Sequence, residues 1–318
     1  MREIPDAGHR EMVMEVLKED FLGIPVAEAA KCVPRIDRPQ AEFCAITIDN
    51  ELRNAGFHCP PSLIHDLVAM QQLLVPAPDD ALALALARAY VFWVHLDDTC
   101  GRSRSGVLDL FADIGTGPRP PGRHASRFSD YAELVFADLA GFCSPAFLGI
   151  YRSFIHEALT GVLLETECGT DRHRFLDTGY IRSRSGFCEA YATALQFVDP
   201  CMDFVENLAF WGAAMGQLVV FLNDINDVLS FYKEALDGRD FTVSSIYGES
   251  VRNGIPYRDA YRAKLDSGLR AQRRIIELAG PERTPHVENY LHGYWYWHLH
   301  VDRYGWGDLI PGLERIEI

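Results

Sequence analysis

An all-α fold, organised as one domain over residues 1–318, is the architecture this sequence predicts, and three observations carry the expectation. The run Ala81–Leu96 (ALALALARAYVFWVHL) is long, apolar and made of good helix formers, so its length favours a buried helix over a strand. Apolar residues recur elsewhere with helical spacing, and no stretch alternates apolar and polar residues between hairpin turns. Breaks fall where Gly and Pro cluster, and neither an internal repeat nor a low-complexity tract divides the chain.

In chain order, the central helix is expected at Ala81–Leu96, because a helix apolar on most sides belongs in the middle of a large bundle. Helices follow at Tyr131–Phe142, Pro145–Thr166, Tyr180–Phe197, Val205–Ala235 and Tyr257–Ala279, with an aromatic-rich final helix at Pro285–Val301. Loops are expected at His58–Ser62 around Pro60–Pro61, at Ala112–His124 (ADIGTGPRPPGRH) and at Asp237–Asp240 (DGRD).

Composition narrows the function. Apolar residues make up 48% of the chain, enough for a sizeable core. The net charge of −15 repels nucleic-acid phosphates, and no Lys/Arg-rich run offsets it, so DNA and RNA binding are discounted. An acidic protein acting on an anionic substrate needs carboxylate-held divalent cations to reverse the local sign. The 8 cysteines are scattered without a C-x-x-C pair, which reads as reduced core thiols in a cytoplasmic protein. Met1–Lys31 lacks a signal-like apolar stretch and no segment has 18 uninterrupted apolar residues, so no membrane span is expected.

Two constellations could carry chemistry. Asp97–Asp98 end the central helix, where paired acids oppose the helix dipole and call for a cation partner. Asn226, Ser230 and Glu234, within NDVLSFYKE, are spaced i, i+4, i+8, which places an amide, a hydroxyl and a carboxylate on one face over about 12 Å of helix. These are hard oxygen donors that suit Mg²⁺. A solvated polar face is the plainer reading, but the segment runs straight on from apolar Trp211–Leu222, and a polar row continuing a buried helix needs partners. The histidines His292, His298 and His300 read as packing or surface residues; His156–Glu157 lacks the second histidine of a zinc motif, and Gly115-Thr-Gly117 reads as a turn.

NDVLSFYKE fits the metal-binding signature of the class I terpene synthases and, with its SFYKE core, resembles the trichodiene synthase-like fungal sesquiterpene cyclases. Arg182-Ser-Arg-Ser-Gly186, 44 residues ahead of Asn226, resembles the family's diphosphate-sensing arginine and helix-break glycine, joined here by Ser185. His292–Tyr304 (HGYWYWHLHVDRY) resembles the family's terminal helix with its Arg-Tyr pair, Arg303 and Tyr304. One departure stands out: the acidic motif reads DDTCG, with Gly101 where the family usually has a third acid.

The resemblance implies a helical bundle around a central cavity and Mg²⁺, as a three-ion cluster, held by Asp97 on one side and by Asn226, Ser230 and Glu234 on the other. It implies diphosphate contacts from Arg182, Lys233, Arg303 and Tyr304, and a pairing of Asp98 with Arg303 on closure. Farnesyl diphosphate is the implied substrate and a homodimer the implied assembly. Tyr90 and Trp93, one or two turns before Asp97, and Tyr294 and Trp297 on the terminal helix are expected to line the cavity, where aromatic faces stabilise cations without offering a nucleophile. The competing readings are a chain-elongating prenyltransferase, disfavoured by the Asn/Ser/Glu type of second motif, and a non-catalytic helical binding module.

Overall fold

A computed structural model describes residues 7–17, 23–99, 104–116, 126–168, 177–237, 246–310, 312–316 and 318. Among them there is no strand. Among the described residues thirteen α-helices follow one another: α1 (Ala7–Val16), α2 (Ile24–Ala29), α3 (Arg38–Asn54), α4 (Pro61–Leu74), α5 (Asp80–Thr99), α6 (Arg104–Thr116), α7 (Arg127–Leu139), α8 (Pro145–Cys168), α9 (Thr178–Ser185), α10 (Cys188–Thr193), α11 (Leu208–Asp237), α12 (Ile246–Asn253) and α13 (Tyr257–His300). Short 3₁₀ turns at Ala194–Phe197, Pro200–Met202, Asp302–Tyr304 and Trp306–Asp308 complete them.

The core lies between α4, α5, α7, α11 and α13. Helix α5 is buried nearly throughout, from Leu82 to Leu96. A cation within it, Arg88, is 5% exposed and makes a bidentate pair with Glu51 of α3 (2.8 and 2.7 Å) that ties the two helices together. By length and composition, Leu208–Glu234 could cross a membrane, but 56% of its most apolar window is buried inside the bundle against α13 and α10.

Four expected boundaries are corrected. Tyr180–Phe197 is not one helix: α9 ends at Gly186, Phe187 takes a left-handed conformation (φ 51°), and α10 restarts at Cys188. A Cβ on Gly186 would lie 2.4 Å from Asn223 Oδ1 of α11, so only glycine permits this approach. The two C-terminal helices form one element, α13, bent at Gly280 (φ 68°), where Pro281 opens the second half as prolines do at a first helical turn. Ala112–Thr116 is helical and closes α6; the remainder of that predicted loop, 117–124, lies outside the described residues, as do 238–240 and Gly101. Pro60 does precede a helix start, but α4 begins at Pro61 itself. Helices α1 to α4, α6 and α12 lie outside the expected set.

Candidate active site

The bundle brings the C-terminal end of α5, the end of α9, the second half of α11 and the 302–304 turn to one end. Arg303 of that turn donates from Nη1 to Asp98 Oδ2 (3.0 Å) and from Nη2 to Asp98 Oδ1 (2.9 Å), a planar fork clamping the chain's C-terminal region onto the acidic motif. Burial works against the Arg303 charge, but Asp98 outweighs it and holds the guanidinium above its ordinary range. Beside the pair, Asp97 is solvent-accessible yet crowded by protein on all sides, as a group on the wall of a recess is. Burial, then the Glu165 and Asp98 carboxylates, push Asp97 well above the usual carboxylate range, while Arg182 and Arg303 pull the other way.

Arg182, near the end of α9, reaches α11. Its Nη2 donates to Asn226 Oδ1 (2.9 Å) and lies 2.6 Å from Asp227 Oδ1. Burial disfavours its charge, but Asp227 first, then Glu165, and also Glu234, overcome this, so the guanidinium stays protonated among acids from two helices, α8 and α11. On the far side, Asp227 Oδ2 is 3.0 Å from Lys264 Nζ of α13, which also lies 3.0 Å from Asp224 Oδ1. Lys233 places its ammonium 5.9 Å from the Tyr304 ring centroid.

One turn along α11 from Asn226, Ser230 is 2% exposed and its Oγ has no hydrogen-bond partner among the described residues. A buried hydroxyl left so is costly unless something fills the space before it. With Asn226 and Glu234 on the same helix face and Asp97 across the recess, the donors are an amide oxygen, a hydroxyl and carboxylates, a set that fits a hard divalent cation such as Mg²⁺. A different group, Asp199 and Cys201 in the turn before α11 and His286 of α13, has its donor atoms within 4.8 Å of one another, but it shares no residue with this set.

The expected cavity aromatics divide. Tyr90 and Tyr294 are 2% and 6% exposed and face other phenols: burial and neighbours including Tyr151 push Tyr90 up, and the Tyr290 hydroxyl is raised by Tyr90 and Tyr294 after burial. The hydroxyls of Tyr90 and Tyr290 have no partner among the described residues, whereas Tyr294 Oη donates to Leu222 O (3.0 Å). Trp93 stacks on Phe187 at the α9–α10 break (5.9 Å, 15°) and donates from Nε1 to Tyr151 Oη (2.9 Å). Trp297 donates from Nε1 to the Asp66 carbonyl of α4 (2.5 Å), which fixes its indole as a strut between α13 and α4.

Residues the sequence reasoning passed over also meet here. Glu165 comes from α8, Lys264 from α13, and His298, read as a packing residue, is fully buried within reach of Asn226: its Nε2 lies 3.1 Å from Asn226 Nδ2. Glu165 and Lys264 have no local motif, and His298 lies within the HGYWYWHLHVDRY segment without a role of its own there; helix packing brings all three in.

A family model described as Trichodiene synthase (TRI5) matches residues 77–310. The trichodiene synthase of Stachybotrys chartarum is 26% identical over 239 residues, covering 72% of this chain and 59% of that protein. Monoterpene synthase 25 of Postia placenta is 26% identical over 194 residues, covering 59% of this chain and 56% of that protein. The chain thus spans about three-fifths of the length of the curated relatives it matches. Among solved structures, 2-methylisoborneol synthase from Streptomyces coelicolor A3(2), crystallised with Mg²⁺ and geranyl-S-thiolodiphosphate, superposes with a TM-score of 0.66 at 15% identity, covering 88% of this chain and 96% of that one. Linalool/nerolidol synthase from Streptomyces clavuligerus, in complex with 2-fluorogeranyl diphosphate, gives 0.65 at 12% identity, covering 82% and 99%. At those identities the likeness establishes the all-α terpene synthase fold. The family match takes in α5, α9, α11 and the Arg303–Tyr304 turn together, and on it the chain belongs to the trichodiene synthase family.

Proposed function

We propose that this chain is a terpene cyclase that ionises farnesyl diphosphate and closes the resulting cation into a cyclic sesquiterpene. The observation that carries the reading is the convergence of Arg182 and Arg303 on the acid-bearing ends of α5 and α11, beside a buried Ser230 hydroxyl without a partner. Cationic donors facing a set of hard oxygen ligands is the arrangement that receives a diphosphate and its metal ions. Asp97, Asn226, Ser230 and Glu234 are the residues that would hold Mg²⁺, and bound Mg²⁺ would supply stabilisation of charge on the leaving diphosphate.

The chain's own groups do the rest. Arg182, Lys233, Arg303 and Tyr304 donate to diphosphate oxygens as the carbon–oxygen bond breaks and its electron pair leaves with the diphosphate. The Arg303–Asp98 clamp shields the recess from water. A π bond of the substrate attacks the allylic cation, forming the ring bond and moving the charge along the chain. Tyr90, Trp93 and Tyr294 offer aromatic faces to that charge, and loss of a proton or capture of water ends the sequence. Gly186 ends α9, the helix that carries Arg182.

A ten-carbon substrate is the second reading. It is favoured by the relative named as a monoterpene synthase and by neighbours crystallised with geranyl analogues. Incubation of the purified protein with farnesyl or geranyl diphosphate, with and without Mg²⁺, followed by gas chromatography–mass spectrometry, tests both. A Mg²⁺-dependent cyclic C15 product supports the first reading and a C10 product the second. No product and no diphosphate release from either substrate rejects the enzyme reading.

A further inference from the structure

The side chain of Asn226 sits between two groups whose hydrogen-bonding roles are not interchangeable. Arg182 has only donors, so the Asn226 atom 2.9 Å from its Nη2 must be the carbonyl oxygen, Oδ1. That directs the amide nitrogen at His298 Nε2, 3.1 Å away, which must then be a bare acceptor. The proton of the neutral ring therefore sits on Nδ1, and Nδ1 donates to the Tyr294 carbonyl at 2.9 Å, a group that can only accept. Both ends of the chain Arg182–Asn226–His298–Tyr294 fix their roles, so tautomer and amide orientation follow without a choice.

The surroundings keep the ring neutral and still. His298 is 0% exposed, and burial, with Arg303 also opposing the charge, drives its pKa down to about 3. The Tyr304 ring stacks on it (4.7 Å, 28°) and Tyr294 and Trp297 meet it edge-on at 4.3 and 4.6 Å.

We infer that His298 is a positioning residue that acts with Arg182 to hold the orientation of Asn226, keeping its oxygen rather than its NH₂ toward the cation side of α11. The inference rests on the reading that Asn226 is a metal-facing donor. A flipped amide would present two N–H groups to a divalent cation and could not ligate it. Outer-sphere partners that orient a ligand in this way typically alter metal affinity about 10–100-fold when removed.

The test reads binding without turnover. Mg²⁺ is titrated against the protein in the presence of inorganic diphosphate, and the midpoint of the rise in melting temperature is recorded. His298→Phe keeps the ring and its stacking on Tyr304 but removes the acceptor; its Mg²⁺ midpoint is expected to rise about 10–100-fold. His298→Gln places an amide oxygen where Nε2 stood and is expected to stay within about threefold of wild type, less than one ordinary hydrogen bond's worth. In an Asn226→Asp background the side chain is oxygen on both sides, so adding His298→Phe is expected to shift the midpoint by less than about threefold, as a coupled pair requires.

An unchanged midpoint in His298→Phe overturns the inference, as does a His298→Gln midpoint displaced as far as that of His298→Phe. If His298→Phe does not fold by circular dichroism, His298→Asn, whose amide is too short to reach Asn226, takes its place under the same criteria. A wild-type protein without any Mg²⁺- and diphosphate-dependent rise rejects the active-site reading itself. A wild-type rise that His298→Phe reproduces at the same midpoint rejects this inference alone.

Discussion

Replacing Lys264 by methionine probes the charge network behind the site. The Lys264 ammonium lies 3.0 Å from Asp224 Oδ1, 3.0 Å from Asp227 Oδ2 and 3.7 Å from Glu249 Oε1, with its side chain 15% exposed. Burial opposes the charge, and Asp227, Asp224 and Glu249 together overcome it, so the group is held protonated above the ordinary lysine range. Methionine keeps the length and loses the cation. Removing one partner of a buried pair costs about 3–5 kcal/mol. Because Asp227 keeps Arg182 at 2.6 Å, the lower end, about 3 kcal/mol, applies. At about 2 °C per kcal/mol for a chain of this size, the melting temperature should fall by about 6 °C.

A second effect separates this network from a merely structural one. Asp227 stands between Arg182 and Lys264, so without Lys264 its charge falls on Arg182 alone and holds that guanidinium back from substrate. If about 1.4 kcal/mol of extra attraction results, KM for the prenyl diphosphate rises about tenfold. Calorimetry and steady-state kinetics at saturating Mg²⁺ measure the two effects, and Lys264→Arg should largely avoid both. A Lys264→Met protein melting within about 2 °C of wild type with an unchanged KM refutes the reasoning.

Alanine at Asn226 or at Glu234 should abolish turnover while the circular dichroism spectrum stays that of a folded helical protein; retained activity in both variants removes them from the metal set. Tyr294→Ala should change the distribution of products seen by gas chromatography–mass spectrometry, and an unchanged distribution takes it out of the cavity wall. Trp93→Ala should do the same while costing about 3–5 kcal/mol, since a fully buried indole that stacks on Phe187 and donates to Tyr151 is lost. Asp66 gives a pH test. Burial first, then Asp302, push its carboxyl from 3.8 up to about 7, with Arg303 pulling it down. The folded protein thus holds this proton more tightly than the unfolded chain does, and stability falls as pH rises from about 4 to about 7. Asp66→Asn should therefore gain stability over wild type by about 3 kcal/mol more at pH 8 than at pH 5, read as a larger rise in melting temperature at pH 8; an equal offset at both values rejects the assignment.

How far the sequence could be read depends on whether a relation lies within one helix or between two. Asn226, Ser230 and Glu234 were placed on one face by spacing alone, and α11 carries them so, because a helix repeats at fixed rise and turn. The break at Gly186 is legible only through the resemblance to the family's helix-break glycine, because the apolar pattern of Tyr180–Phe197 stays helical; in the structure Asn223 of α11 packs where a Cβ would stand. The Gly280-Pro281 bend was legible as a boundary but not as a continuous element, because proline ends one helical turn and can open the next. His298 shows the limit most sharply. Along α13 it is one buried aromatic among several, 72 residues from Asn226, and nothing in its neighbours distinguishes it from Trp295 or Trp297. It acquires a role only because Arg182 constrains the far side of the same amide, so the information resides in the order donor, amide, imidazole, carbonyl, assembled from α9, α11 and α13. A spacing rule cannot contain that order, but a polar group continuing an apolar helix implies that some partner must supply it, and a buried neutral histidine meets that demand without adding a charge beside the cation site.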